Sequence, residues 1–223
     1  MKTSIISDTH RRHEELNSML ERSDLFIHCG DFSGGTEKST RAFLDWFSGT
    51  PAPIKLLVCG NHDGYAEKIG KEAFKDLCFE FGILYLEDES IEIEGIKFYG
   101  TPWTPTFKDW HFMDEDEELK KYWDLIDDDT QVLITHGPQY GILDMLMEGG
   151  IPTYLGSRSL ANRIKELESL KYHFFGHIHG QTGFKDKDEF KDYESINAAA
   201  LWEYYQDRDG LKGPLVTVLN LKS

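Results

Sequence analysis

Eight side chains able to bind metal or carry protons stand just past five short apolar runs in this chain of 223 residues. Asp8 and His10 follow residues 4–7, Asp31 follows 25–29, Asn61 and His62 follow 55–59, His136 follows 132–135, and His177 and His179 follow 172–175. Carboxylate, imidazole and amide oxygen, with no thiolate among them, make a hard-to-borderline donor set. It suits Mn2+, Fe2+ or Zn2+ better than a structural zinc, and so many donors imply two ions. Two divalent cations about 3.5 Å apart would repel by at most roughly 19 kcal/mol at an effective dielectric of 20, so an anionic bridge is needed. A carboxylate at the middle of the cluster, with a hydroxide, would provide it. Such a pair lowers the pKa of a bound water and offsets charge developing on a phosphoryl group.

Other residues could serve this chemistry or have simpler roles. Arg11 and Arg12 directly follow the first pair of donors, where a guanidinium could bind a phosphate bidentately or lie solvated at a helix start. Asp63 could orient the His62 imidazole or cap a turn. Trp103, Phe107, Trp110 and Phe112 could stack on a base or pack a lid. Asn197 sits either near the rim of the site or as an amide capping backbone.

The five runs read as strands buried on both faces. Between them, residues 14–21, 36–47, 65–77 and 159–170 carry apolar side chains at three- and four-residue spacing, as amphipathic helices do. The order is βαβα, a sheet flanked by helices, and ligands of such sheets collect beyond the carboxyl ends of the strands. Residues 83–99, turning at Gly95, and 215–221 read as β without intervening helices and suggest a second, partly antiparallel sheet. Residues 106–129 are aromatic and acidic, with one short helical stretch at 117–125, and look like a surface insertion.

Composition narrows the function. Forty acidic against 24 basic residues give a net charge of −16, which repels long nucleic acid. No run approaches 18 consecutive apolar residues and no signal-like segment opens the chain, so a cytoplasmic protein without a membrane partner is expected. Cys29, Cys59 and Cys78 form an odd set without paired spacing and read as reduced core thiols.

Asp8-Thr9-His10, Gly30-Asp31, Gly60-Asn61-His62-Asp63, His136-Gly137 and Gly176-His177-Ile178-His179 resemble, in order, the five blocks of the calcineurin-like metallophosphoesterase superfamily. Gly100-Thr101-Pro102-Trp103-Thr104-Pro105 and Thr135-His136-Gly137-Pro138 resemble its small class III cyclic-nucleotide-type phosphodiesterases, a subfamily that includes metallophosphoesterase-domain-containing brain proteins and bacterial relatives. The resemblance implies an α/β fold, a four-layer α/β/β/α sandwich with two mixed central sheets and the dimetal site at strand carboxyl ends. It implies a single domain over residues 1–223. It places one divalent ion (Mn2+, Fe2+/Fe3+ or Zn2+) on Asp8, His10, Asp31 and His179, and a second on Asp31, Asn61, His136 and His177. Asp31 is then the bridge, a metal-bridging hydroxide the nucleophile, and His62 a non-ligand acid assisted by Asp63. Arg11, Arg12 and Trp103 are candidate substrate contacts. The implied activity is hydrolysis of a small phosphodiester, a cyclic nucleotide among the candidates. A phosphomonoesterase or protein phosphatase, a non-enzymatic binding module and a homodimer all stay open.

Overall fold

The computed structural model describes residues 1–181, 185–187, 192–200 and 216–222. β1 (Lys2–Ile6), β2 (Leu25–His28), β3 (Ile54–Leu57) and β4 (Leu84–Tyr85) lie parallel, side by side. β5 (Glu89–Ile93) and β6 (Ile96–Thr101) form an antiparallel hairpin around Glu94-Gly95. A two-residue pair, β7 (Thr104–Pro105) and β8 (Met113–Asp114), then ties together the aromatic segment. β9 (Val132–Thr135) lies parallel to β6, and β10 (Met145–Glu148) and β11 (Ile151–Tyr154) form a separate hairpin. β12 (Tyr172–Phe175) follows β9 in parallel, β13 (Lys185–Lys187) flanks β14 (Glu194–Asn197), and β15 (Thr217–Asn220) returns antiparallel to β1.

Two mixed sheets result, ordered β15-β1-β2-β3-β4 and β13-β14-β12-β9-β6-β5. The expected second sheet exists, but its centre is β12 and β9 rather than the two helix-free regions alone. Leu84–Tyr85 instead extends the first sheet, because the helix before it acts as a crossover that feeds a parallel strand. The C-terminal strand also joins the first sheet, covering the open edge of β1. Leu215, the first residue of the expected run, lies outside the described residues.

Strand parity sends neighbouring side chains to different cores. Ile5, Ile27, Leu56, Phe98, Ile134 and Phe174 meet between the sheets. Ile6, Phe26 and Leu57 point the other way, onto Leu16, Phe43, Phe47 and Phe74. Tyr99 and Leu133, on the far face of the second sheet, pack on Trp123, Leu160 and Ile164. Helices α1 (Glu37–Ser48), α2 (Gly64–Ile69) and α3 (Lys71–Glu80) supply the first outer layer, and α4 (Lys120–Trp123) and α5 (Arg158–Glu166) the second. The order of layers is therefore α/β/β/α.

Three local readings change. The helix expected over 65–77 is two helices, broken at Gly70, whose φ of +85° only glycine adopts without strain. Residues His13–Met19 form a 3-10 helix. Residues 106–129 are more than a surface insertion, because Leu119, Trp123 and Ile126 are buried as the anchor of the second outer layer. All three cysteines are free and buried. Among the described residues no helix is long and apolar enough to cross a membrane.

Candidate metal centre

Each donor stands where a strand has just ended, and the exits are braced to one another. The backbone of Asp8 donates to Gly30, that of His10 to Asp31, and that of Gly176 to His136. Ser7 donates to the carbonyl of Ala198 and accepts from Ala200, stitching the first sheet to the second where the donors emerge. Asp8, His10, Asp31 and His177 turn through the left-handed region, with φ of 54°, 42°, 58° and 65°. Such a conformation costs a non-glycine residue about 1–3 kcal/mol and clusters at functional sites. Gly60 and Gly176 leave the space that the Asp31 and Asp8 carboxylates occupy, so a side chain at either would displace a donor.

The donors converge. The Nε2 of His179 lies 3.1 Å from both Asp8 Oδ1 and His10 Nε2. The Nε2 of His10 lies 3.9 Å from Asp8 Oδ1 and 3.9 Å from Asp31 Oδ2. On the other side, His136 Nε2 lies 2.9 Å from Asn61 Oδ1 and 3.4 Å from Asp31 Oδ1. Asp31 therefore stands between two donor groups and turns one oxygen toward each. The His177 ring centre is 5.0 Å from that of His136.

His62 stands at the edge, its Nε2 3.9 Å from Asp31 Oδ2 and its side chain 38% exposed. It packs edge-on to His10 and tilted against Trp110, with ring centres 5.1 and 4.7 Å apart. The ligand atoms form three overlapping triads within 4.8 Å: Asp8–His10–His179, His10–Asp31–His62 and Asp8–Asp31–His136.

A second layer aims these groups. Cys29's carbonyl faces the Nδ1 of His136, Asn197's amide donates to Ile178 between His177 and His179, and its oxygen accepts from Ala199. Asp63 is placed otherwise than as a partner of the His62 ring. Its buried carboxylate accepts the backbone N–H groups of Asp31, Gly60 and Ser33 at 2.8, 2.8 and 2.9 Å, fastening together the loops after β2 and β3. Burial, with the charge of Asp31, pushes this carboxyl up to about 7.

The electrostatics favour bound cations. Burial alone would raise the Asp8 and Asp31 carboxyls, but His179 beside the first and His136 beside both hold them well below the usual range. Burial would likewise lower His136, yet the two carboxylates raise it to about 9. Burial pushes His177 down to about 3, leaving a neutral ring with a free lone pair. Asn61 keeps a buried Nδ2 with no partner while its oxygen faces the centre. Two buried carboxylates, the neutral imidazole of His177 and an amide oxygen suit divalent cations.

A cavity of about 570 Å³ opens over His10, Asp31, Asn61, His62, His177 and His179. Phe107, Lys108 and Trp110 line it as well, as do Leu146, Met147 and Leu155. Of the expected substrate contacts, neither Arg11, Arg12 nor Trp103 lines it. Arg12 forks onto Glu15, Arg11 lies over Gly34, and Trp103 stacks on Tyr122 at 3.9 Å while donating to Asp88. Trp103 is thus held by packing and a half-buried carboxylate, and Trp110 is the tryptophan at the site. The sequence reading missed Lys108 and the β10–β11 hairpin. The Gly149-Gly150 turn, with φ of 57° and 84°, was the signal that could have revealed the hairpin.

Residues 1–181 match the family model described as calcineurin-like phosphoesterase. The chain is 28% identical over 200 residues to metallophosphoesterase domain-containing protein 1 of Homo sapiens, covering 80% of this chain and 60% of that one. It is 32% identical over 196 residues to UPF0046 protein K07C11.7 of Caenorhabditis elegans, covering 82% and 65%. It is 41% identical over 208 residues to UPF0046 protein T07D4.2 of the same organism, covering 80% and 51%. The chain thus spans about 60% of the length of the human relative. One crystal structure shares the fold with a TM-score of 0.64 at 14% identity, over 89% of this chain and 90% of the other.

Proposed function

This chain belongs to the calcineurin-like phosphoesterase family, and from that premise we propose that it hydrolyses a small phosphodiester at the centre just described, as a single domain. Asp8, His10, Asp31 and His179 would hold one divalent ion, and Asp31, Asn61, His136 and His177 the other. When bound, the pair supplies Lewis acidity and an acidified water. The observation that carries the reading is Asp31, whose Oδ2 faces His10 and whose Oδ1 faces His136.

The chain's own groups do the rest. A water oxygen bonds to phosphorus as the bond to the departing alcohol breaks. His62, exposed at the rim beside Asp31, gives a proton to the departing oxygen and is reprotonated from solvent, while the attacking water releases its proton to solvent, leaving a monoester and a free alcohol. Asp63 acts as a brace that keeps the Asp31 and Asn61 loops in register.

Two features favour a diester over a monoester. Among the described residues that line the cavity, Lys108 is the one Lys or Arg, and the others beyond the donors are apolar or aromatic. A diester carries one charge and two substituents, which suits such a space. Hydrolysis of bis(4-nitrophenyl) phosphate and of 4-nitrophenyl phosphate, compared with Mn2+, Fe2+ and Zn2+ in turn, tests this. At least a 10-fold preference for the diester is expected, and a strong monoester preference would sink the reading.

A further inference from the structure

We infer that the cavity is a leaving-group clamp, which takes a phosphodiester whose departing alcohol carries a flat, apolar substituent. This deepens the diester reading above and rests on it.

Trp110 sets the direction of the clamp. Its ring centre lies 4.7 Å from that of His62, so the aromatic wall starts at the group that meets the departing oxygen. A substituent on that oxygen runs along Trp110 toward Phe107, whose ring centre is 6.1 Å further on. Leu146, Met147 and Leu155 line the same cavity. A cavity lined by aromatic rings and aliphatic side chains suits a flat apolar ring. A sugar or a charged group there would lose its hydrogen bonds to water against Leu, Met and Phe. Lys108 places its ammonium 5.2 and 5.1 Å from the Phe107 and Trp110 ring centres, where it can meet the single charge of the diester.

The aromatic wall is fixed in advance. Glu67 of α2 meets the His111 ring at 2.6 Å and accepts the backbone N–H of Phe112 at 3.0 Å, while His111 donates from its backbone to Asn61 at 3.2 Å. The wall is thereby tied to the same loop that carries Asn61 and His62, and little ordering is left for the substrate to impose.

Two methyl phosphodiesters with departing alcohols of similar acidity but different shape, phenyl and hexafluoroisopropyl, provide the test on the metal-loaded protein. The ratio of their kcat/KM values, phenyl over hexafluoroisopropyl, should fall about 10-fold in Trp110→Ala and recover in Trp110→Phe. A loss shared by both esters reports only on His62, whereas the ratio reports on the clamp. Calorimetric binding of methyl phenylphosphonate and methyl ethylphosphonate, whose P–C bonds do not hydrolyse, reads the same slot without departure of the group it holds, with the phenyl compound bound about 10-fold tighter by the wild type alone. An unchanged ratio in Trp110→Ala, or equal affinities in the wild type, would overturn the clamp. A protein that prefers the phenylphosphonate but hydrolyses neither ester would leave the slot standing and remove the diester reading.

Discussion

Nδ1 of His136 lies 3.0 Å from the carbonyl oxygen of Cys29, an acceptor only, so that nitrogen carries the proton and donates it. The other nitrogen, facing Asn61 and Asp31, is left to act as donor atom or counter-charge. A strand-end carbonyl of the first sheet thus aims a histidine of the second, and the centre depends on the two sheets meeting correctly.

Because Asp31 faces both donor groups, Asp31→Asn is expected to abolish binding of the metal pair and nearly all turnover. His62→Ala should leave both ions bound and slow turnover by about 10²- to 10⁴-fold. Metal content after gel filtration, measured beside kcat, checks the pair of variants. Equal metal loss in both would make His62 a ligand.

Asn197 touches no donor directly, yet it holds the Ile178 carbonyl at 2.9 Å between two of them. Asn197→Ala should weaken Mn2+ binding by about 10- to 100-fold. A purely structural role would lower the melting temperature equally with and without metal and leave calorimetric affinity unchanged.

Asp63→Asn would turn an amide N–H toward backbone N–H groups that now donate to a carboxylate. Leaving buried donors unpaired costs about 1–3 kcal/mol each, so the urea midpoint should fall clearly and metal affinity with it. A variant with unchanged stability and metal content but reduced kcat would restore Asp63 to a catalytic part.

His28 and His173 are both held near 3 by burial, against an ordinary 6.5. Between these values the unfolded chain takes up protons that the folded protein refuses, so stability falls as pH drops below about 6.5. Each should cost about 2 kcal/mol on going from pH 7 to pH 5. Urea unfolding of EDTA-treated protein at both pH values reads this dependence, and His173→Gln should flatten it by about that amount. An equal slope in the variant would contradict it.

The donor cluster was legible because each apolar run ends in a side chain that has no business in a core, and the ordering of five such ends survives folding unchanged. The walls of the cavity were not. Trp103 and Trp110 sit in the same aromatic stretch, and only the fold decides that one stacks on Tyr122 while the other meets His62. The β10–β11 hairpin is short and largely exposed, with Ile151 at 68%, so no buried face imprinted a period on it. Gly70 stayed hidden for the opposite reason, since the helices on either side of it both bury apolar residues against the same core.

The alternation that sends Ile5 inward and Ile6 outward also governs the chemistry. A one-residue deletion within β1, β2, β3, β9 or β12 would swap the cores on that strand's two faces and drag the donor beyond it by about 3.3 Å. Misthreaded chains would therefore lose packing and metal together. Hydrophobic register acts as a proofreader for the centre, so a copy that folds stably has in the same act set its donors in frame.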